Sequence, residues 1–163
     1  MSKGPAGIAA LAAASRLQHA TPEATGELWV NVLKELPLFA GMSKRHLRRL
    51  AGIAQEVRFP PQSAIVREGS SGQTFYVILD GAVSVIRPGW QPIRLQAGDF
   101  FGEMSLLDGK ERSATIEADT EVLTLAIARP DFMKMLESEP PMAVAILKEL
   151  ATRLRSLNET HTS

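Results

Sequence analysis

After Gly52 the chain is written in short apolar runs at intervals too brief for helices, and the residues between those runs fix or free φ. Pro60-Pro61, the glycine-bounded run 69–72, Asp80-Gly81 and Pro88-Gly89 each supply turn chemistry. They predict strands over residues 56–59, 63–67, 74–79, 82–87, 92–96, 113–118 and 122–127. Strands so short and so regularly interrupted suggest an antiparallel barrel or jelly roll. In strand 82–87, Val83 and Val85 flank Ser84, the alternation of a half-buried strand; Val122, Leu123, Leu125 and Ile127 are nearly all apolar, as in a fully buried one.

Helices are expected on both sides of this region. Leu28, Val32, Leu33 and Leu36 recur at helical spacing up to Pro37, and Ser43 is suited to cap a second helix that buries Leu47, Leu50, Ala51 and Ala54. Lys44, Arg45, Arg48 and Arg49 occupy its other side, a solvated face in a neutral chain. Arg129-Pro130-Asp131 opens a third helix, turning Phe132, Met133 and Leu136 inward, and Pro140-Pro141 is expected to stop it. A last helix over about residues 142–157 carries Leu147, Leu150, Leu154 and Leu157 at alternating spacings of three and four. That stripe is either the seam of a homodimer or the face that packs on the barrel. The fold class is thus α+β, mainly β: an antiparallel jelly-roll barrel with N-terminal helices and two C-terminal ones.

Composition narrows the function. Lysine plus arginine equals aspartate plus glutamate at 18 each, so no basic excess draws the molecule onto nucleic acid or an anionic membrane. There are no cysteines, hence no disulfide framework or thiolate metal site. The histidines His19, His46 and His161 all fall outside the predicted strands, which argues against a cupin-like metal enzyme, and no Ser-His-Asp or Cys-His set is available. Residues 1–25 contain an alanine-rich run behind Lys3, too short and weakly apolar for a membrane span; it reads as a flexible leader before one domain over residues 26–163.

The chemistry concentrates in Phe100-Phe101-Gly102-Glu103-Met104-Ser105-Leu106-Leu107, followed after a short loop by Arg112-Ser113-Ala114-Thr115. Gly102 lets the backbone approach a ligand, and the short helix after it is expected to bury Met104, Leu106 and Leu107 while presenting N–H groups to an anion. Arg112 offers a planar fork that can donate two parallel bonds to one phosphate, with the Ser113 hydroxyl and the Ala114 N–H beside it. Glu103, which only accepts when ionised, would repel a phosphate and suits a sugar hydroxyl instead. The residues therefore describe a pocket for a phosphorylated sugar.

In this spacing the segment resembles the phosphate-binding cassette of the cyclic nucleotide-binding domain family, known from bacterial cAMP receptor protein, cyclic nucleotide-gated channels and protein kinase A regulatory subunits. The pattern continues upstream in Glu68-Gly69-Ser70-Ser71-Gly72, Phe75-Tyr76-Val77-Ile78, Gly81 and Leu95 with Gly98-Asp99, and spans roughly residues 28–158. The resemblance implies a regulatory sensor, not an enzyme, that binds a 3′,5′-cyclic nucleotide and needs no cofactor. Arg112 would meet the cyclic phosphate and Glu103 the ribose 2′-hydroxyl, supported by Phe101, Gly102, Met104, Ser113 and Ala114. Ser113 permits either base, with cAMP favoured and cGMP the alternative. In the family the last helix closes over the base; here it has no aromatic, so Arg153, Leu157 and Asn158 are the candidate lid contacts. A sugar-phosphate-binding protein is the other reading of the same pocket. Family members that bind DNA add a helix-turn-helix after the last helix; none is expected within these 163 residues. Neither nucleic acid nor membrane is expected as a partner of this chain, and a cytoplasmic location is expected.

Overall fold

The structure is a computed structural model that describes residues 22–162, and the side chains within residues 27–159. Most of the leader lies outside the described residues. Helix α1 spans Pro22–Glu35, a 3-10 turn follows at Pro37–Phe39, and α2 spans Lys44–Ile53. Ser43 caps α2 as expected, its hydroxyl accepting from the His46 N–H at 3.3 Å.

Among the described residues, eight strands form two four-stranded antiparallel sheets rather than one closed barrel. The strands are β1 (Gln55–Phe59), β2 (Ala64–Val66), β3 (Thr74–Asp80), β4 (Ala82–Ile86), β5 (Ile93–Gln96), β6 (Phe100–Phe101), β7 (Thr115–Ala118) and β8 (Val122–Ala128). One sheet runs β1-β8-β3-β6 and the other β2-β7-β4-β5. All the strands expected from turn punctuation are present. β6 is additional: two residues are too few to show alternation, and it pairs through Tyr76 and Val77 of β3.

The central strand β3 is buried on both faces because its two residue sets serve two cores. Phe75, Val77 and Leu79 join Leu123, Leu125 and Ile127 of β8 under the helices, with Leu33, Phe39, Leu47, Leu50 and Phe132. Ile78, with Tyr76 against it, faces Val66, Val83, Leu95, Phe101 and Ile116 between the sheets. The second core is the floor of the site described below.

A short helix α3 (Glu103–Asp108) joins β6 toward β7, and α4 (Arg129–Ser138) and α5 (Pro140–Thr162) close the molecule. The prolines do more than expected. Helix α4 ends at Ser138, with Glu139 before Pro140 pushed out of the helical region at φ −127° and ψ 79°. The two prolines also form the first turn of α5, where a missing N–H costs nothing, so α5 starts earlier than expected. Glu139 is buried, and its carboxylate meets His46 Nδ1 at 2.8 Å, tying this corner to α2. The first turns of α5 belong to the helix-side core through Met142 and Ile146. Among the described residues no helix is long and apolar enough to cross a membrane.

Candidate functional site

The segment 100–114 folds as a strand, a left-handed glycine, one short helix and a return loop. Gly102 sits at φ 93°, and a Cβ there would come within 2.8 Å of the Thr74 carbonyl, so both conformation and space call for glycine. One expectation fails in the helix it starts. Only Leu106 of the three apolar residues is buried; Met104 and Leu107 are exposed by 49% and 44%. A six-residue helix has a single inward side, and Glu103, Ser105 and Leu106 take it.

Arg112 is buried, and its guanidinium is seated on the main chain. Nη1 donates to the Gly102 carbonyl at 2.7 Å and Nη2 to the Thr74 carbonyl at 2.8 Å. Its backbone is held by the β2–β3 loop: the Arg112 N–H donates to the Ser70 carbonyl at 2.8 Å, and the Gly69 N–H donates to the Arg112 carbonyl at 2.9 Å. A Cβ on Gly72 would lie 2.5 Å from Arg112 Nε, so that loop can lie on the guanidinium only as glycine. Burial pulls the Arg112 pKa down, against the pull of Tyr76 and Glu103, yet a guanidinium stays cationic. The fork keeps further N–H groups beyond the two engaged.

Glu103 is buried as well, and burial raises its pKa above the usual value. The Arg153 charge and the backbone N–H groups of Glu103 and Met104 oppose that rise. Arg153 reaches it from α5: Nη1 lies 3.4 Å from Glu103 Oε1, Nη2 donates to the Phe100 carbonyl at 2.6 Å, and Nε donates to Glu149 one turn earlier at 3.0 Å. The same guanidinium lies 4.6 Å from the centroid of the Phe100 ring.

These groups border a cavity of about 680 Å³, in the range of a small-molecule site. Phe101, Gly102, Glu103, Met104, Arg112, Ser113 and Ala114 all line it. Of the candidate lid residues, Arg153 and Leu157 line it, with Leu154 and Leu150 beside them, whereas Asn158 is exposed and outside the lining. The sequence reading missed the wall from β4 and β5, in particular Arg87 and Trp90. A tryptophan placed in a Pro-Gly turn, where polar residues are the norm, was the available signal.

The profile of the cyclic nucleotide-binding domain matches residues 56–139, just over half of the chain. The chain belongs to the cyclic nucleotide-binding domain family. Its relatives include a cyclic nucleotide-gated potassium channel of Rhizobium etli, 36% identical over 118 residues that cover 72% of this chain and 33% of the channel. A cAMP-dependent protein kinase regulatory subunit of Pyricularia oryzae is 29% identical over 117 residues, 71% of this chain and 30% of that protein. Among solved structures, the catabolite activator protein of Thermus thermophilus superposes with a TM-score of 0.66 at 32% identity, covering 77% of this chain and 62% of that one. The chain spans about a third of the length of the curated relatives it matches.

Proposed function

We propose that this domain is a sensor whose jelly-roll-like pair of sheets binds a 3′,5′-cyclic nucleotide, cAMP in preference to cGMP, with the distal half of α5 as its lid. The observation that carries the reading is the pairing of two opposite buried groups at one cavity. Arg112 is a cation whose hydrogen-bond acceptors are neutral carbonyls and which Glu103 meets only through space, so its fork can still take a cyclic phosphate. Glu103 is an acceptor suited to a ribose hydroxyl. The relatives support the choice of ligand, since they include cAMP-dependent kinase subunits and a cyclic nucleotide-gated channel. The other carboxylates on the lining are Asp99 and Glu149, and no histidine lies there among the described residues, which favours binding over catalysis. No residue of the lining calls for a cofactor.

Calorimetric titration with cAMP and cGMP tests this. The wild type should bind cAMP more tightly, and Arg112→Lys should weaken both nucleotides severely, because an ammonium cannot span the Gly102 and Thr74 carbonyls and fork a phosphate as well. Equal affinities in wild type and Arg112→Lys would remove Arg112 from the phosphate.

The leucine stripe of α5 also divides. Leu150 and Leu157 are partly buried and Leu154 borders the cavity, whereas Val144 and Leu147 stand exposed on the outer side, by 46% and 65%. We propose a second copy as the partner of this outer side, forming a homodimer through α5. Sedimentation should show a dimer that Leu147→Lys dissociates; a wild-type monomer at all concentrations would refute it.

A further inference from the structure

A purine needs a flat, water-excluding surface, and α5 offers no aromatic side chain to provide one. Among the described residues, two aromatic side chains line the cavity, Phe101 and Trp90. Phe101 is already used, buried and stacked on Tyr76 with ring centroids 5.1 Å apart. Trp90 is different: it lines the cavity yet remains 38% exposed.

Its position is fixed by the turn that carries it. The Trp90 N–H donates to the Arg87 carbonyl at 3.2 Å, closing a four-residue turn with Pro88 second and Gly89, at φ 78°, third. That is the arrangement of a type II turn, which proline pre-sets and glycine permits. Strand register places the turn at the correct end of the sheet. Ile86 pairs with Thr115, so Arg87 continues beside Ala114, where the cassette enters β7. The Arg87 guanidinium lies over the indole with Cζ 5.3 Å from the ring centroid, a cation–π contact that orients the ring and occupies one of its faces.

We propose that Trp90, steadied by Arg87, is the base-stacking wall of the nucleotide site, so that the β4–β5 turn recognises the purine. This rests on the cyclic-nucleotide reading above and adds the residue that discriminates by base. Stacking grows with ring area, so Trp90 favours a purine over a pyrimidine and tells adenine from guanine poorly.

The test titrates cAMP and cCMP into wild type, Trp90→Leu and Trp90→Phe, and follows tryptophan emission in a Trp29→Phe background, where Trp90 is the sole tryptophan. Expected are a loss of about tenfold or more in cAMP affinity for Trp90→Leu, a smaller loss for cCMP, recovery of most of the cAMP affinity in Trp90→Phe, and a change in Trp90 emission on adding cAMP. Circular dichroism of Trp90→Leu controls for folding. Undiminished cAMP binding by Trp90→Leu, or an emission unmoved by saturating cAMP, overturns the proposal while leaving the nucleotide site intact if Arg112→Lys still abolishes binding. A wild type that binds neither cAMP nor cGMP overturns both.

Discussion

Two arginines border the same cavity, Arg112 buried and Arg153 partly buried, and they are held in opposite ways. Arg112 rests on carbonyls of Gly102 and Thr74, and its own backbone is bonded to the β2–β3 loop, so every hydrogen-bond partner is a main-chain group of the sheets and their loops, with Glu103 acting on it only through space. Arg153 comes from α5, beyond the break at Glu139, and is met by the carboxylates of Glu103 and Glu149 as well as by the Phe100 carbonyl. A cation seated among neutral acceptors is positioned but not neutralised, and so remains a receptor for an anion. A cation between two carboxylates is already neutralised; its contacts fasten one element to another. Arg112 is thus built to receive a ligand and Arg153 to latch the helix to the cassette, with Glu103 shared between the latch and the proposed sugar contact.

The comparison breaks most severely at Gly72. A side chain there would strike the Arg112 guanidinium at Nε and Cζ, within 2.6 Å, and also Ser105 Cβ at 2.7 Å. Gly72→Ala should therefore displace Arg112 from both carbonyls and weaken cAMP by tenfold or more, roughly the 1.5–3 kcal/mol of a hydrogen bond to a charged group. Calorimetry reads the loss. Wild-type affinity in Gly72→Ala would show that the seat of Arg112 tolerates movement and that the fork is not pre-organised.

The latch comes next in size. Met142 and Ile146 are core residues and Leu150 packs against the same core, so a cut at the start of α5 would damage the fold itself; a cut after Leu150 spares all three and removes Arg153 with the lid. That truncation should weaken cAMP by about 5–150-fold, ordinary coupling between a ligand and a mobile element, with little change in unfolding temperature. Arg153→Met should do part of the same, and amide exchange over residues 149–158 should quicken in the free protein. Exchange as slow as in wild type would mean that α5 is held by its apolar contacts alone.

What could be read from the sequence was what is local. Glu103, Arg112, Ser113 and Ala114 lie within one loop, and the turn residues that punctuate β1–β5 mark the strands directly. The rest depends on contacts between distant residues: Thr74 meets Arg112 across 38 positions, and Glu103 meets Arg153 across 50. No periodicity encodes such pairs. Pro140-Pro141 was ambiguous for a different reason, since proline both ends a helix and begins one, and only the buried Glu139 beside His46 decides that the chain restarts there. Met104 and Leu107 misled because apolar character alone does not say which side of a single turn faces inward.

A smaller effect is expected at the sugar. If Glu103 accepts from the ribose 2′-hydroxyl, the wild type should prefer cAMP to 2′-deoxy-cAMP by a few fold, about the 0.5–1.5 kcal/mol of one hydrogen bond, and Glu103→Gln should narrow the difference. Competition titration measures both. Equal binding of the two nucleotides by the wild type would leave Glu103 to the latch alone.

The smallest effect concerns the free protein and its pH dependence. Burial raises the Glu103 pKa despite the opposing Arg153 charge, so between the ordinary value of 4.5 and the raised one the folded state holds more proton than the unfolded state. Stability must then fall as pH rises through that window, because ionising a desolvated carboxylate costs more than Arg153 returns. Glu103→Gln removes this titration and keeps the shape. Its unfolding temperature should exceed that of wild type at pH 7, and the two should converge once the pH falls below the ordinary value of 4.5. Thermal unfolding from pH 4 to pH 7 decides the sign. A wild type that gains on the variant with rising pH would make the Glu103–Arg153 pair a net stabiliser, and a ligand that draws Glu103 away would then have to overcome that attraction before the helix could move.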